Sequence, residues 1–189
     1  MLKLEEFSVR RINLDDKDCI LRWRNSENVR SNMYNDHVIS QSEHDVWFAR
    51  ALINSSAVYL VFMHKERPIG FGSIQNINRR HERCSVGFYL GETDVPRGAG
   101  AVLEFMLLDY AFLTLAMRKM NIEVFAFNLS GIRLHEKFGF FREGEFVEHI
   151  IKNGKYENIV CLAIFRIAWI NEREQFKVRM FGKNKNSEN

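Results

Sequence analysis

The chain has 189 residues, 46% apolar and 27% charged, enough for a single domain with a sizeable core. Its 27 basic and 24 acidic residues leave a net charge of +3, too balanced for a nucleic-acid partner but suited to an anionic small molecule. Cys19, Cys84 and Cys161 are scattered, so no disulfide framework is expected and a reducing cytoplasm is the expected location. His81 and Cys84 have ligand-like spacing, yet no second pair completes a metal site. The run from Val102 to Met117 is broken by Glu104, Asp109 and Thr114 and is short for a membrane span, while "MLKLEEFSVRRINL" is too charged for a signal peptide.

In chain order, Phe7 to Ile12 reads as a strand and Asp15 to Arg24 as a helix. Ser40-Gln41-Ser42-Glu43 is a capping box that opens a helix reaching Leu52. Val58 to Met63, Ile69 to Ile77 and Ser85 to Leu90 read as strands of an antiparallel meander, with turns at "KERP" and "NRRHER". A helix over Gly98 to Met117, a strand over Asn121 to Phe127 and a short helix over Ser130 to Lys137 follow, the last capped by Gly139. Phe146 to Lys152 and Ile159 to Ile167 are strands joined around Asn153-Gly154, a hairpin signal. The pattern predicts a mixed α/β (α+β) single domain over residues 1–176. A basic polar tail, expected to be frayed, is assigned to 177–189.

The stretch "VPRGAGAVLEFMLLDYAF" (Val95 to Phe112) places glycines directly before an apolar helix. Helix N-termini expose unpaired N–H groups and a positive dipole end, and glycines let an anion approach them. Arg97 adds a charge that can pair with phosphate. Neither a P-loop Lys-Ser/Thr nor a three-glycine dinucleotide spacing is present. On the stretch alone, a diphosphate cradle and a plain strand-to-helix turn both stand.

Arg97-Gly98-Ala99-Gly100 resembles the first four positions of the Q/R-x-x-G-x-G/A signature of the GNAT superfamily of acetyl-coenzyme A-dependent N-acetyltransferases. "NLSGIRLHEKFGF" (Asn128 to Phe140) is similar to that family's second motif, N-x-x-A-x-x-x-Y-E-K-x-G-F. Asn128, Glu136, Lys137, Gly139 and Phe140 match; Val102, Gly131 and His135 depart from the usual Gly/Ala, Ala and Tyr. The resemblance implies a mixed sheet splayed around acetyl-CoA. Phe88, Tyr89 and Leu90 would line it from the strand, Arg97, Gly98, Ala99, Gly100, Ala101 and Val102 would hold its pyrophosphate, and Asn128 and Lys137 would lie along it. A valine at 102 is expected to narrow that pyrophosphate pocket.

A narrower resemblance concerns "LRWRNSENVRSNMYNDHVISQSEHDVWF" and "IGFGSIQNIN". These are similar to GNAT branches that acetylate protein N-termini or a nucleotide-linked 4-amino sugar of the pseudaminic acid pathway, and they lean toward the sugar branch. It implies Glu123 as the base that takes the proton of the attacking amine. A strand glutamate facing solvent is the alternative. His135 would replace the usual Tyr as acid toward the departing thiolate, imidazolium being a stronger acid than phenol; an ordinary surface histidine is the alternative. Arg24 would pair with phosphate, and Met33, Tyr34 and Trp47 would form an apolar wall, unless they are core. His44 and Gln75 would lie near the nucleotide.

The expected partner is a small-molecule amine, foremost a nucleotide sugar, with neither nucleic acid nor membrane; a homodimer is entertained. A closed groove beside Arg24, Tyr34 and Trp47 would favour the sugar and an open channel a peptide. The missing Tyr also keeps a non-catalytic acetyl-CoA sensor in view.

Overall fold

The computed structural model describes residues 2–182. Its strands are β1 (Phe7–Arg11), β2 (Val58–His64), β3 (Arg67–Asn78), β4 (Arg83–Leu90), β5 (Lys119–Phe125), β6 (Phe141–Lys152) and β7 (Lys155–Phe165). Its helices are α1 (Lys17–Asn25), α2 (Glu27–Arg30), α3 (Gln41–Ile53), α4 (Ala99–Asp109), α5 (Leu129–Lys137) and α6 (Arg166–Phe181). One seven-stranded sheet has the order β1-β2-β3-β4-β5-β7-β6. All neighbours are antiparallel except β4 and β5.

The sheet is covered on both faces, and the apolar runs of its strands follow from that. Along β2, Leu60 and Phe62 enter the cluster that includes α4, α5 and Trp169 of α6. Val61 and Met63 alternate to the other face, where Ile20 and Trp23 of α1 and Phe48 and Ala51 of α3 pack. Gly91, just past β4, permits this packing. A Cβ there would stand 2.1 to 2.5 Å from atoms of the Trp23 ring.

Several boundaries differ from the sequence reading. The capping box at α3 is half formed: Ser40 Oγ accepts from the Glu43 N–H, but the Glu43 carboxylate turns to His37. The helix read through Met117 leaves α geometry after Asp109 and ends in a π turn over Tyr110–Thr114. Phe127 lies beyond β5, in the turn just before Asn128, which caps α5. The Asn153-Gly154 hairpin is present, both residues having positive φ, and β6 begins five residues before Phe146, at Phe141.

Ile167 belongs to α6 rather than to the last strand. That helix runs past the boundary placed at 176, so residues 177–181 are helical. Phe176, Met180 and Phe181 pack against the main core, giving this basic segment an anchored face. Asp109 fastens the helix, accepting from Trp169 Nε1 at 2.9 Å and from Arg173 at 2.7 and 2.8 Å. Residues 183–189 of the expected tail lie outside the described residues.

Candidate active site

β4 and β5 pair over only three residues each, Arg83–Ser85 against Lys119–Asn121. Beyond that point they part. The cleft between them has a volume of about 490 Å³ and is lined by Phe88, Tyr89 and Leu90 on one side and Ile122 to Phe125 on the other. Because β4 hydrogen-bonds to β3 on its far edge, alternate backbone groups of its last residues face the cleft without a strand partner.

The glycine stretch ends at this cleft. Gly98 is the N-cap of α4 with φ of 93°, a left-handed conformation that glycine adopts without strain. Gly100 lines the cleft. Among the described residues the N–H groups of Gly98 and Gly100 have no acceptor, whereas those of Ala99, Ala101 and Val102 bond back to Pro96 or Gly98 carbonyls. Arg97 stands exposed at the entry. These donors and the free edge of β4 fit an extended thioester cofactor with a diphosphate at the helix end. Val102 does not narrow that mouth as expected: it is 0% exposed and sits in the core beneath the helix.

Asn128 caps α5, its Oδ1 accepting from Gly131 N–H at 3.0 Å, and it lines the cleft. A Cβ on residue 131 would come within 2.9 Å of that side chain, so a larger residue there would have to push the Asn128 amide aside. Lys137 is exposed on the far side of α5 and is not part of the cleft lining.

His135 is 4% exposed and lines the cleft, so it is not the surface residue of the alternative reading. Its ring packs edge-on against Phe88 and against Phe140. Its Nδ1 lies 2.6 Å from Oε1 of Glu104, which is 2% exposed on α4. Oε2 of Glu104 has no donor among the described residues. Burial pushes the Glu104 carboxyl above the usual range, and the His135 hydrogen bond and charge pull it part of the way back. Sequence reading missed this carboxylate; its one signal was an acidic residue inside an apolar helix.

Glu123 projects from β5 into the cleft, and its Oε2 accepts from the Tyr34 hydroxyl at 2.7 Å. Burial, then this hydrogen bond, pushes the Tyr34 phenol upward. The loop after α2 that delivers Tyr34 is tied down by Lys152, another residue missed in the sequence. Its Nζ donates to Met33 O and Asp36 Oδ2, both at 3.0 Å, and lies 5.3 Å from the Phe125 ring centre.

On the other side of β4 a second pocket of about 380 Å³ opens between α1, α3 and the sheet. The two cavities share Met33, Gly87, Phe88 and Tyr89, so they meet at the strand. Arg24, Met33, His44, Trp47 and Gln75 converge here as expected, together with Tyr59, Phe71 and Tyr89, while Tyr34 lies in the first cleft instead. Trp47, Tyr59, Phe71 and Tyr89 form a continuous aromatic wall, with ring centres 5.4 to 6.3 Å apart. His44 is buried with Nε2–H donating to the Lys17 carbonyl at 2.8 Å, and Gln75 donates to Ser73 Oγ. Arg24 gives Nη2 to the Asn35 carbonyl, but its buried Nη1 has no acceptor among the described residues. Burial pushes this guanidinium below its usual value, the direction expected of a poorly solvated cation.

The described residues hold no cluster that could bind a metal and no helix long and apolar enough to cross a membrane. Residues 9–160 match the acetyltransferase (GNAT) domain. Spermidine N(1)-acetyltransferase of Vibrio cholerae is 23% identical over 170 residues, 89% of this chain and 98% of that protein. Acetyltransferase PseH of Campylobacter jejuni is 26% identical over 137 residues, 72% of this chain and 83% of that one. A prophage-derived uncharacterized N-acetyltransferase of Bacillus subtilis, YokL, is 36% identical over 97 residues, half of this chain and about half of its own length. A crystal structure of the Vibrio cholerae spermidine enzyme with CoA and spermine superposes with a TM-score of 0.83 at 21% identity, covering 88% of this chain and 99% of that one, and bears on the fold alone. With its domain match, its splayed sheet and its cofactor cleft, the chain belongs to the GNAT family of acetyl-CoA-dependent N-acetyltransferases.

Proposed function

We propose that the amine acetylated by this enzyme is the 4-amino group of a nucleotide-linked deoxy amino sugar, reached through the pocket on the α1–α3 side of β4. The observation that carries this reading is the buried Nη1 of Arg24 beside an aromatic wall. A desolvated guanidinium with one amino group lacking an acceptor is a site for an anion such as a diphosphate. The aromatic faces of Trp47 and Tyr59 suit a base or the apolar face of a deoxysugar. The similarity to PseH supports the same reading.

The spermidine acetyltransferases among the relatives raise a polyamine as the other acceptor. A polycation asks for free carboxylates. Glu43 is the acidic residue lining the pocket, and it is paired with His37 at 2.9 Å. Asp36 is paired with Lys152, which holds it below the usual carboxylate range, and Glu123 is bonded to Tyr34. Of these three, only Asp36 faces a permanent cation, so the preference for the sugar nucleotide rests on Arg24 and the aromatic wall.

Within this reading Glu123, steadied by Tyr34, accepts the amine proton. The free backbone N–H groups at Phe88 to Leu90 stabilise the developing oxyanion. His135 protonates the leaving sulfur, and Arg24, Met33, Trp47, His44 and Gln75 surround the acceptor. The exposed apolar residues Phe146, Val147, Ile151 and Tyr156 of the β6–β7 hairpin support a homodimer, which sedimentation equilibrium tests.

The deciding experiment measures thiol release from acetyl-CoA with UDP-linked 4-amino sugars, polyamines and N-terminal peptides side by side. The sugar nucleotide is expected to give the highest kcat/KM. Arg24→Met is expected to raise its KM about 10-fold or more, as for loss of a charge-assisted hydrogen bond, and to leave the KM of acetyl-CoA unchanged. Preference for a polyamine or a peptide would overturn the acceptor assignment.

A further inference from the structure

The general-acid role given to His135 leaves a chemical gap. A neutral imidazole whose Nδ1–H points at Glu104 presents only a lone pair at Nε2, which can take a proton but not give one. An acid at this position must be imidazolium when the carbon–sulfur bond breaks.

The surroundings supply one charge that can hold it so. Glu104 comes from α4 and faces Nδ1 at 2.6 Å. From β4 and from the residue before β6, the rings of Phe88 and Phe140 pack against it. Glu123 of β5, bonded to Tyr34, shares the cleft. On α5 itself Arg133, Glu136 and Lys137 are exposed. His135 is in turn the one hydrogen-bond and ion-pair partner of the Glu104 carboxylate among the described residues. The two side chains, 31 residues apart in sequence, form a buried pair, with His135 lining the cleft.

We infer that Glu104 is the positioning residue of the acetyl transfer: its carboxylate receives Nδ1–H and keeps His135 as an imidazolium whose Nε2–H is directed to the sulfur. When the carbon–sulfur bond breaks, its electron pair stays on sulfur and the Nε2 proton moves there. A free thiol results, and His135 is left neutral and still bonded to Glu104 through Nδ1–H. A proton from solvent, matching the one released by the amine, restores the imidazolium. Glu104 touches neither substrate. The inference rests on the acid role of His135, not on the identity of the acceptor.

The test is the pH profile of kcat, measured with whichever amine the enzyme acetylates best, for the parent, Glu104→Gln, Glu104→Asp and His135→Phe. Glutamine preserves the size and the acceptor for Nδ1–H but removes the charge. The alkaline fall of kcat is expected to move down by about one pH unit or more in Glu104→Gln, since loss of an adjacent opposite charge shifts titration by that order. The KM of acetyl-CoA should stay within about 2-fold, and Glu104→Asp should move the profile part of the way back. His135→Phe should abolish the alkaline limb.

An unmoved profile in Glu104→Gln, with the limb lost in His135→Phe, would overturn the role of Glu104 and keep that of His135. A limb that persists in His135→Phe would overturn both. Nitrogen-15 spectra of His135 in the parent provide a readout independent of variant folding. Both ring nitrogens are expected to be protonated at pH 7, and a spectrum of a neutral ring would refute the inference.

Discussion

Replacing His135 by Phe perturbs stability as well as chemistry, and the stability effect can be separated from the catalytic one. The phenyl ring keeps the contacts with Phe88 and Phe140, but Glu104 then loses its single described partner, because Oε2 already has no donor. Removing one member of a buried charged pair costs about 3 to 5 kcal/mol. The lower end applies here, since a carboxyl can take up a proton and limit the penalty. For a chain of this length that corresponds to a fall in Tm of about 6 to 12 °C at neutral pH.

The sign of the pH dependence follows from Glu104 alone. In His135→Phe the hydrogen bond and charge that oppose burial are gone, so burial alone raises its pKa in the folded variant and favours the protonated form there. The stability it supports is present at pH below its ordinary value of 4.5 and is lost as the pH rises through the folded-state value. The cleanest comparison is His135→Phe against His135→Phe/Glu104→Leu, since neither contains the histidine. Urea midpoints at pH 5 and pH 7.5 should show the single variant nearly level with the double at the lower pH and well below it at the higher. An equal gap at both pH values, or no gap, would refute the claim that an unpaired buried carboxyl is the source of the loss.

Four further outcomes can be measured. Val102→Ala should cost about 2 kcal/mol from two lost methyl groups and leave the KM of acetyl-CoA unchanged; a several-fold lower KM would mean that Val102 does crowd the cofactor. Gly91→Ala should destabilise by about 1 to 3 kcal/mol in thermal melts, because its Cβ would displace the fully packed Trp23 ring and with it α1. Glu123→Gln should lower kcat about 100-fold or more at neutral pH with little change in acetyl-CoA affinity, and Tyr34→Phe should lower it less. Lys152→Met should speed protease cleavage within residues 31–38 and raise the KM of the acceptor, since the tie to Met33 and Asp36 is removed while the packing on Phe125 remains.

What the sequence made legible was local. The glycine stretch, Gly139 at the end of α5 and the Asn153-Gly154 turn each specify backbone geometry within a few residues, and each has its expected form; the Asn128 cap was equally local but was read only as a motif match. That Arg24, Met33, His44 and Trp47 gather at one pocket was also readable, because they come from one contiguous segment. Tyr34 went astray for the same reason. It neighbours Met33 in sequence, yet the turn after α2 sends it to β5 while Trp47, on α3, faces β2 and β3. Lys152 reaches that loop across 119 residues from the tip of a hairpin, a contact that no local pattern encodes. Val102 was misplaced because a motif gives a position along a helix but not the face on which the side chain lies.

The face of α4 also accounts for the oddity at 135. Gly100 and Glu104 are four residues apart, hence on one side of the helix. The same side presents the bare N–H of Gly100 at its first turn and a carboxylate one turn later. A single rigid element therefore sets both the anion-binding end of the cleft and the orientation of the ring at its centre. A tyrosine hydroxyl carries its own proton and needs no such support. On the proposed mechanism the histidine does, and the acidic residue that interrupts the apolar helix lies 2.6 Å from its Nδ1. The departure at 135 and the carboxylate at 104 thus read as one arrangement, split between two motifs and joined only when α4 and α5 pack together.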